Sequence, residues 1–269
     1  MNLLAIHGMP RSGTTWLGSI FDSSPESRYL LQPLFSLDMK GMITEKATKA
    51  EIEFFKTKLM DTRDPFATQT ATERAKLKES FNKNSPTFLC YKETRYHSVL
   101  RNLLLKDDKA TALLIIRDPV EAIESWYNAP KEFNPQWSIQ DEWYFARKKR
   151  MGAESEYYGL ESWIETTTLF ENLEQLFQNR VRILRYEHLI ENPMSEMQSV
   201  FEFFNLLMFP QTIDFISRSS LSRVSTNPYS TFFKGRKSLK KYRPLPQDIS
   251  NNIIHMVQKS GLEKYLKSV

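Results

Sequence analysis

The stretch HGMPRSGTTWL, residues 7–17, decides how the rest of the chain is read. Gly8 and Gly13 stand at the spacing of a phosphate-binding loop, GxxxxGK[ST], but the place of the loop lysine is held by Thr14. The apolar run LLAI at residues 3–6 reads as a buried strand, and residues 14–21 read as a helix. A glycine turn between strand and helix aims successive backbone N–H groups at one point, and the helix dipole adds partial positive charge there. The loop therefore binds an oxyanion. Thr14 keeps the N–H and loses the ammonium, so the nearest cation is Arg11, two residues before Gly13. Charge that enters from the loop suits a terminal group beside a single 5′-phosphate. It argues against nucleotide hydrolysis, where the lysine reaches the β- and γ-phosphates and the next hydroxyl holds Mg²⁺.

Working outward, strand-like runs fall at residues 29–31, 87–91, 110–116 and 181–184. Helical patterns fall between them at 45–59, where Ile52, Phe55 and Leu59 share one side, and at 98–105, 138–150 and 160–177. A last helix is expected at 247–259. The sequence IRDP ends the strand at 110–116, with Asp118 as N-cap and Pro119 at the first position of a helix running to about Tyr127. Strands alternating with helices predict an α/β fold of three layers, a mainly parallel sheet with helices on both faces. No repeat or Gly/Ser linker divides the chain, so one domain over residues 1–269 is expected, with an aromatic, helical cap inserted at about 128–160.

Composition narrows the classes further. Hydrophobic residues make up 41% of 269, enough for a sizeable core, and the net charge of +5 suits an anionic ligand as well as it suits a nucleic acid. The single cysteine, Cys90, excludes an intrachain disulfide and reads as an inert core thiol. The opening MNLLAI lacks the basic start and long apolar run of a signal peptide, so a cytoplasmic location is expected.

A second candidate anion site lies in LLIIRDPVEAIESWY, residues 113–127, where Arg117 ends a strand and Ser125 follows two helical turns later. Spacing alone leaves open a strand-end arginine and a solvated serine.

Residues 10–17, PRSGTTWL, resemble the 5′-phosphosulfate loop of the sulfotransferases that use 3′-phosphoadenosine 5′-phosphosulfate, where Lys or Arg stands between Pro and Ser-Gly. Arg117 and Ser125 match the Arg and Ser, eight positions apart, that hold the 3′-phosphate in that family. The resemblance implies a P-loop NTPase-like fold and a nucleotide site built from Arg11, Ser12, Gly13, Thr14, Thr15, Trp16, Arg117 and Ser125, with no metal. In it, Arg11 contacts the phosphosulfate bridge and the backbone of residues 12–15 cradles the 5′-phosphate. VRILRYEHLIENP, residues 181–193, is similar to a segment that brings a tyrosine, here Tyr186, near the adenine, and Ser219 and Ser220 fall where the family has small hydroxyl residues near the base. Lys234, Gly235 and Arg236 loosely resemble the family's Arg-Lys-Gly loop, which reaches the 3′-phosphate.

The reaction so implied moves a sulfuryl group in line to the hydroxyl of a carbohydrate or small-molecule acceptor, and depends on positioning and on cations where charge grows. Lys92, in CYKETRYH, matches a lysine beside the transferred group. The base is less legible. Cytosolic members place a histidine where this chain has Thr94, and carbohydrate sulfotransferases place Glu-Pro where it has Gln32-Pro33. Glu93 ranks first as proton acceptor, then His97, with His7 a third candidate. The aromatics Tyr127, Trp137, Trp143, Tyr144, Tyr157 and Tyr158, between Trp126 and Trp163, suit equally a flat acceptor and core packing, and the basic run Arg147 to Arg150 reads as a solvated helix face. A P-loop kinase using ATP is opposed by Thr14, and a nucleic-acid module by the scattering of the cations.

Overall fold

The computed structural model describes residues 1–70, 80–151, 156–220 and 243–267. Five strands form one sheet: β1 (Asn2–Gly8), β2 (Ser27–Leu31), β3 (Phe88–Glu93), β4 (Ala110–Ile116) and β5 (Val181–Arg185). Their spatial order is β2-β3-β1-β4-β5, and every neighbouring pair is parallel. The expected α/β, three-layer, P-loop-like architecture is what the chain adopts. After β1 the chain builds one side of the sheet and then crosses to the other, so the carboxyl end of β1 lies at the topological switch point where open α/β sheets bind ligands.

Strand alternation sorts the core into two layers. Leu3, Ala5, Leu89, Tyr91, Ala112 and Leu114 face one side, against α2 (Lys49–Asp61), α3 (Val99–Lys106), α4 (Pro119–Tyr127), α7 (Gly159–Leu176) and α11 (Gln247–Lys259). Leu4, Ile6, Phe88, Cys90, Leu113 and Ile115 face the other, against α1 (Thr14–Asp22), α8 (Tyr186–Glu191), α9 (Pro193–Phe203) and α10 (Pro210–Ser220). Helix α2 starts at Lys49 rather than 45 because Thr48 and Glu51 close a capping box.

The helix expected over 138–150 is two short ones, α5 (Ile139–Glu142) and α6 (Arg147–Arg150). The cause is competition for carbonyls. Leu160 and Glu161, at the start of α7, donate their N–H groups to the carbonyls of Trp143 and Tyr144, and Ala146 turns to φ 50°. The aromatics of this segment serve the core: Trp126, Phe133, Tyr158 and Trp163 are buried in the first layer, and Trp137, Trp143, Tyr144 and Tyr157 pack on it. Of the basic run, Lys149 pairs with Glu132 and Arg150 with Glu161. Among the described residues, no helix is long and apolar enough to cross a membrane.

Candidate anion-binding site

The loop between β1 and α1 is held in a shape few residues adopt. Arg11 has φ 71° and Gly13 φ 83°, and the Ser12 N–H returns to the carbonyl of Met9 at 3.2 Å. Two left-handed residues this close turn the backbone N–H groups inward, as an anion nest requires. Gly13 is constrained twice, by its dihedral and by Tyr186, whose ring carbons would lie 2.6 Å from any Cβ added there.

The two motifs meet, although 106 residues separate Arg11 from Arg117. The Arg117 Nη1 donates to the Arg11 carbonyl at 2.8 Å, and the Arg11 Nε donates to the Ser125 hydroxyl at 3.1 Å. The Arg117 guanidinium also lies 4.3 Å from the centre of the Tyr186 ring. Tyr186 is thus a spacer between the glycine loop and the second arginine, a placement the sequence did not suggest. Arg117 is 3% exposed, its carbonyl accepts from the Trp163 indole at 2.9 Å, and its Nε is buried without a hydrogen-bond partner among the described residues.

Helix α4, which carries Ser125, is fixed at its start. The Asp118 carboxylate accepts from the Glu121 N–H at 2.8 Å and from the Lys267 N–H at 2.8 Å. The Asp118 N–H donates to Glu187, whose carboxyl burial pushes above the usual carboxylate range. On the α1 side, the Trp16 indole donates to the Ser219 hydroxyl at 2.9 Å, so the loop's tryptophan and the end of α10 sit together. Ser220 instead donates to the carbonyl of Ser217. Ser12 and Thr14 are buried and Thr15 is half-buried, all in the loop itself. Lys234, Gly235 and Arg236 lie outside the described residues.

At the end of β3, Lys92 and Glu93 part company. Lys92 follows Phe88 and Cys90 onto the α1 face, beside Ile6 of β1; Glu93 follows Tyr91 onto the other, beside His7. The Glu93 Oε1 accepts from the Leu34 N–H at 2.8 Å, and its Oε2 is buried without a hydrogen-bond partner among the described residues. Burial pushes this carboxyl up to about 8, even though the Leu34 N–H, Lys92 and Arg95 favour its ionised form. The imidazoles of His7 and His97 meet Nδ1 to Nδ1 at 3.0 Å, both fully buried. Burial lowers His97 to about 3, and burial, His97 and Lys92 hold His7 well below its ordinary value. Both are therefore neutral at pH 7.

Gln32 and Thr94, the positions where the resembled families carry a base, are joined to each other. The Gln32 amide donates to the Thr94 hydroxyl at 2.7 Å, with Gln32 held at φ 43°. Neither side chain takes up a proton near neutral pH.

A family model described as "Sulfotransferase family" matches residues 4–210, well over half of the chain. Among solved structures, the chain is similar to mouse sulfotransferase SULT7A1 complexed with PAP (11% identity, 96% of this chain and 83% of that one, TM-score 0.53). It is similar to a sulfotransferase from Alicyclobacillus acidocaldarius (14% identity, 99% and 96%, TM-score 0.53). A third similar structure is retinol dehydratase in complex with androsterone and inactive cofactor PAP (11% identity, 99% and 82%, TM-score 0.54). At these identities the structures speak for the fold, while the matched model, which spans both the lysine-less loop and the Arg117–Ser125 helix, places the chain in the sulfotransferase family, as an enzyme of that type.

Proposed function

We propose that the chain transfers a sulfuryl group from 3′-phosphoadenosine 5′-phosphosulfate to a hydroxyl of a carbohydrate or small-molecule acceptor, in line and without a metal ion. The carrying observation is the contact of Arg11 with Ser125 and of Arg117 with the Arg11 carbonyl, which joins two anion-binding motifs into one site. Two features fit a doubly phosphorylated adenosine. The left-handed turns at Arg11 and Gly13 shape the loop as an anion nest, and the buried Arg117 Nε is a donor with no acceptor among the described residues. The donor supplies an activated sulfur whose bond to the 5′-phosphate oxygen breaks as the acceptor oxygen bonds to it.

In this reading the N–H groups of residues 12–15 and the hydroxyls of Thr14 and Thr15 hold the 5′-phosphate, and Arg11 offsets the charge that gathers on it. Arg117 and Ser125 hold the 3′-phosphate, and Trp16 with Ser219 borders the adenine. Lys92, on the α1 face, stabilises charge at the transferred group. The Glu93 Oε2 takes the acceptor proton: all three candidates are fully buried, but burial holds His97 down to about 3 and His7 well below its ordinary value, which leaves them weak bases, and pushes Glu93 up to about 8. Residues 1–269 act as one domain with the aromatic insertion as its cap. The lone thiol, Cys90, is buried and pushed up by burial, in keeping with a cytoplasmic protein.

Thermal shift tests the reading. Adenosine 3′,5′-bisphosphate without metal is expected to stabilise the chain more than ATP with Mg²⁺ or a short oligonucleotide, and Arg117→Ala to abolish that shift. A larger, metal-dependent ATP shift would instead indicate a kinase.

A further inference from the structure

The second anion clasp already holds an anion of its own. Arg117 Nη2 donates to the Glu121 carboxylate at 2.9 Å, four residues along the chain. An arginine meets a phosphate most strongly through two parallel N–H bonds, and Nε and Nη2 form one such fork. Here one tine, Nη2, is taken by Glu121, and the other, Nε, is buried with no hydrogen-bond partner among the described residues. One turn further along the same face of α4, the Ser125 hydroxyl accepts from Arg11. Both members of the clasp thus carry partners from within the chain.

We propose that Glu121 is a resident counter-anion that competes with the 3′-phosphate for Arg117, and so weakens nucleotide binding and speeds departure of the bisphosphate product. The inference deepens the sulfotransferase reading and rests on it. The asymmetry of the pair favours displacement: Arg117 is 3% exposed and fixed through its Nη1, its carbonyl and the Tyr186 ring, whereas the Glu121 side chain is 31% exposed. Lys267, whose Nζ lies 3.3 Å from the second Glu121 oxygen, offers the carboxylate a place to turn. An incoming phosphate on Arg117 lies beside this carboxylate, and that like-charge contact opposes binding.

The test is Glu121→Gln, which keeps the shape and removes the charge, read by calorimetric affinity for adenosine 3′,5′-bisphosphate and for adenosine 5′-phosphate. The pair is partly exposed, so the expected tightening of the bisphosphate is about three- to tenfold, with dissociation slowed to match. Adenosine 5′-phosphate, which never reaches Arg117, is expected to bind both proteins alike. Weaker bisphosphate binding by the variant would mean that Glu121 merely holds Arg117 in place, and equal tightening of both ligands would mean a diffuse field effect; either overturns the proposal. Failure of the unmodified protein to bind the bisphosphate is a separate outcome, and it overturns the sulfotransferase reading beneath.

Discussion

Glu93 is the residue on which the proposed chemistry turns, because the four other residues around that role are poor proton acceptors. Gln32 and Thr94 bind each other, and His7 and His97 are locked in the core. With its carboxyl pushed up to about 8, Glu93 is mostly protonated at pH 7, and as the proposed base it serves only in its ionised fraction. The rate kcat/KM is therefore expected to climb with pH, about tenfold per unit below 8, and to level off above it. Glu93→Gln is expected to lower kcat by about 10²–10⁴-fold and to flatten that climb, while bisphosphate affinity stays within about twofold. A variant that keeps the climb would assign the proton to another group. The glycine loop with Arg11 was legible as a candidate anion site from its spacing, whereas Arg117 and Ser125 were singled out only by resemblance, and the contact that joins them to Arg11 is tertiary. Glu93 ranked first among the candidate bases in the sequence, but the burial that pushes its carboxyl up and holds the two histidines down is a tertiary property. Tyr186 was assigned toward the adenine by resemblance, and its ring against Gly13 is a tertiary contact that no spacing encodes.

Among the elements, α4 carries the site and α7 holds it in place. The Trp163 indole of α7 donates to the Arg117 carbonyl, at the point where β4 has ended and α4 has not begun. That carbonyl belongs to neither ladder, so a side chain must satisfy it. Trp163→Phe is expected to cost about 1–3 kcal/mol in urea unfolding, the cost of a buried acceptor left without its donor. It is also expected to weaken bisphosphate binding, because Arg117 loses one of its fixed points. Unfolding as in the unmodified protein would show that the contact carries no stability. The same helix explains the part of the fold that pattern reading misjudged. The periodicity over 138–150 is helical, but the first N–H groups of α7 take the carbonyls of Trp143 and Tyr144 and split it. Local pattern reports what a segment prefers; which carbonyls a later helix will claim depends on how the layers dock. The sheet was readable because each strand is a short apolar run bounded by turns, whereas the strand order β2-β3-β1-β4-β5 lies in long-range pairing.

At the scale of the whole molecule, the three fully buried groups His7, His97 and Glu93 weigh most on how stability varies with pH around neutrality. His97 and His7 are held below the ordinary imidazole value of about 6.5, so between their folded and unfolded values the unfolded chain binds more protons. Their contribution is complete above pH about 6.5 and is lost as pH falls, by up to about 1.4 kcal/mol per pH unit for each imidazole. Glu93 acts with the opposite sign. Its folded value is raised to about 8, so as pH rises from about 4.5 the unfolded chain releases this proton and the folded chain keeps it. Stability then declines until pH passes 8. Between about 4.5 and 6.5 the two histidines outweigh the single carboxyl, and above 6.5 the carboxyl acts alone, so these three groups together place the maximum near pH 6.5. Urea midpoints at pH 5, 6.5 and 8 are expected to trace this dome, and Glu93→Gln to remove its alkaline descent and to steepen the acid side, where the carboxyl no longer opposes the two histidines. A midpoint that still rises between pH 6.5 and 8 would mean that Glu93 ionises readily in the folded protein, which would also withdraw the expected climb of kcat/KM toward pH 8.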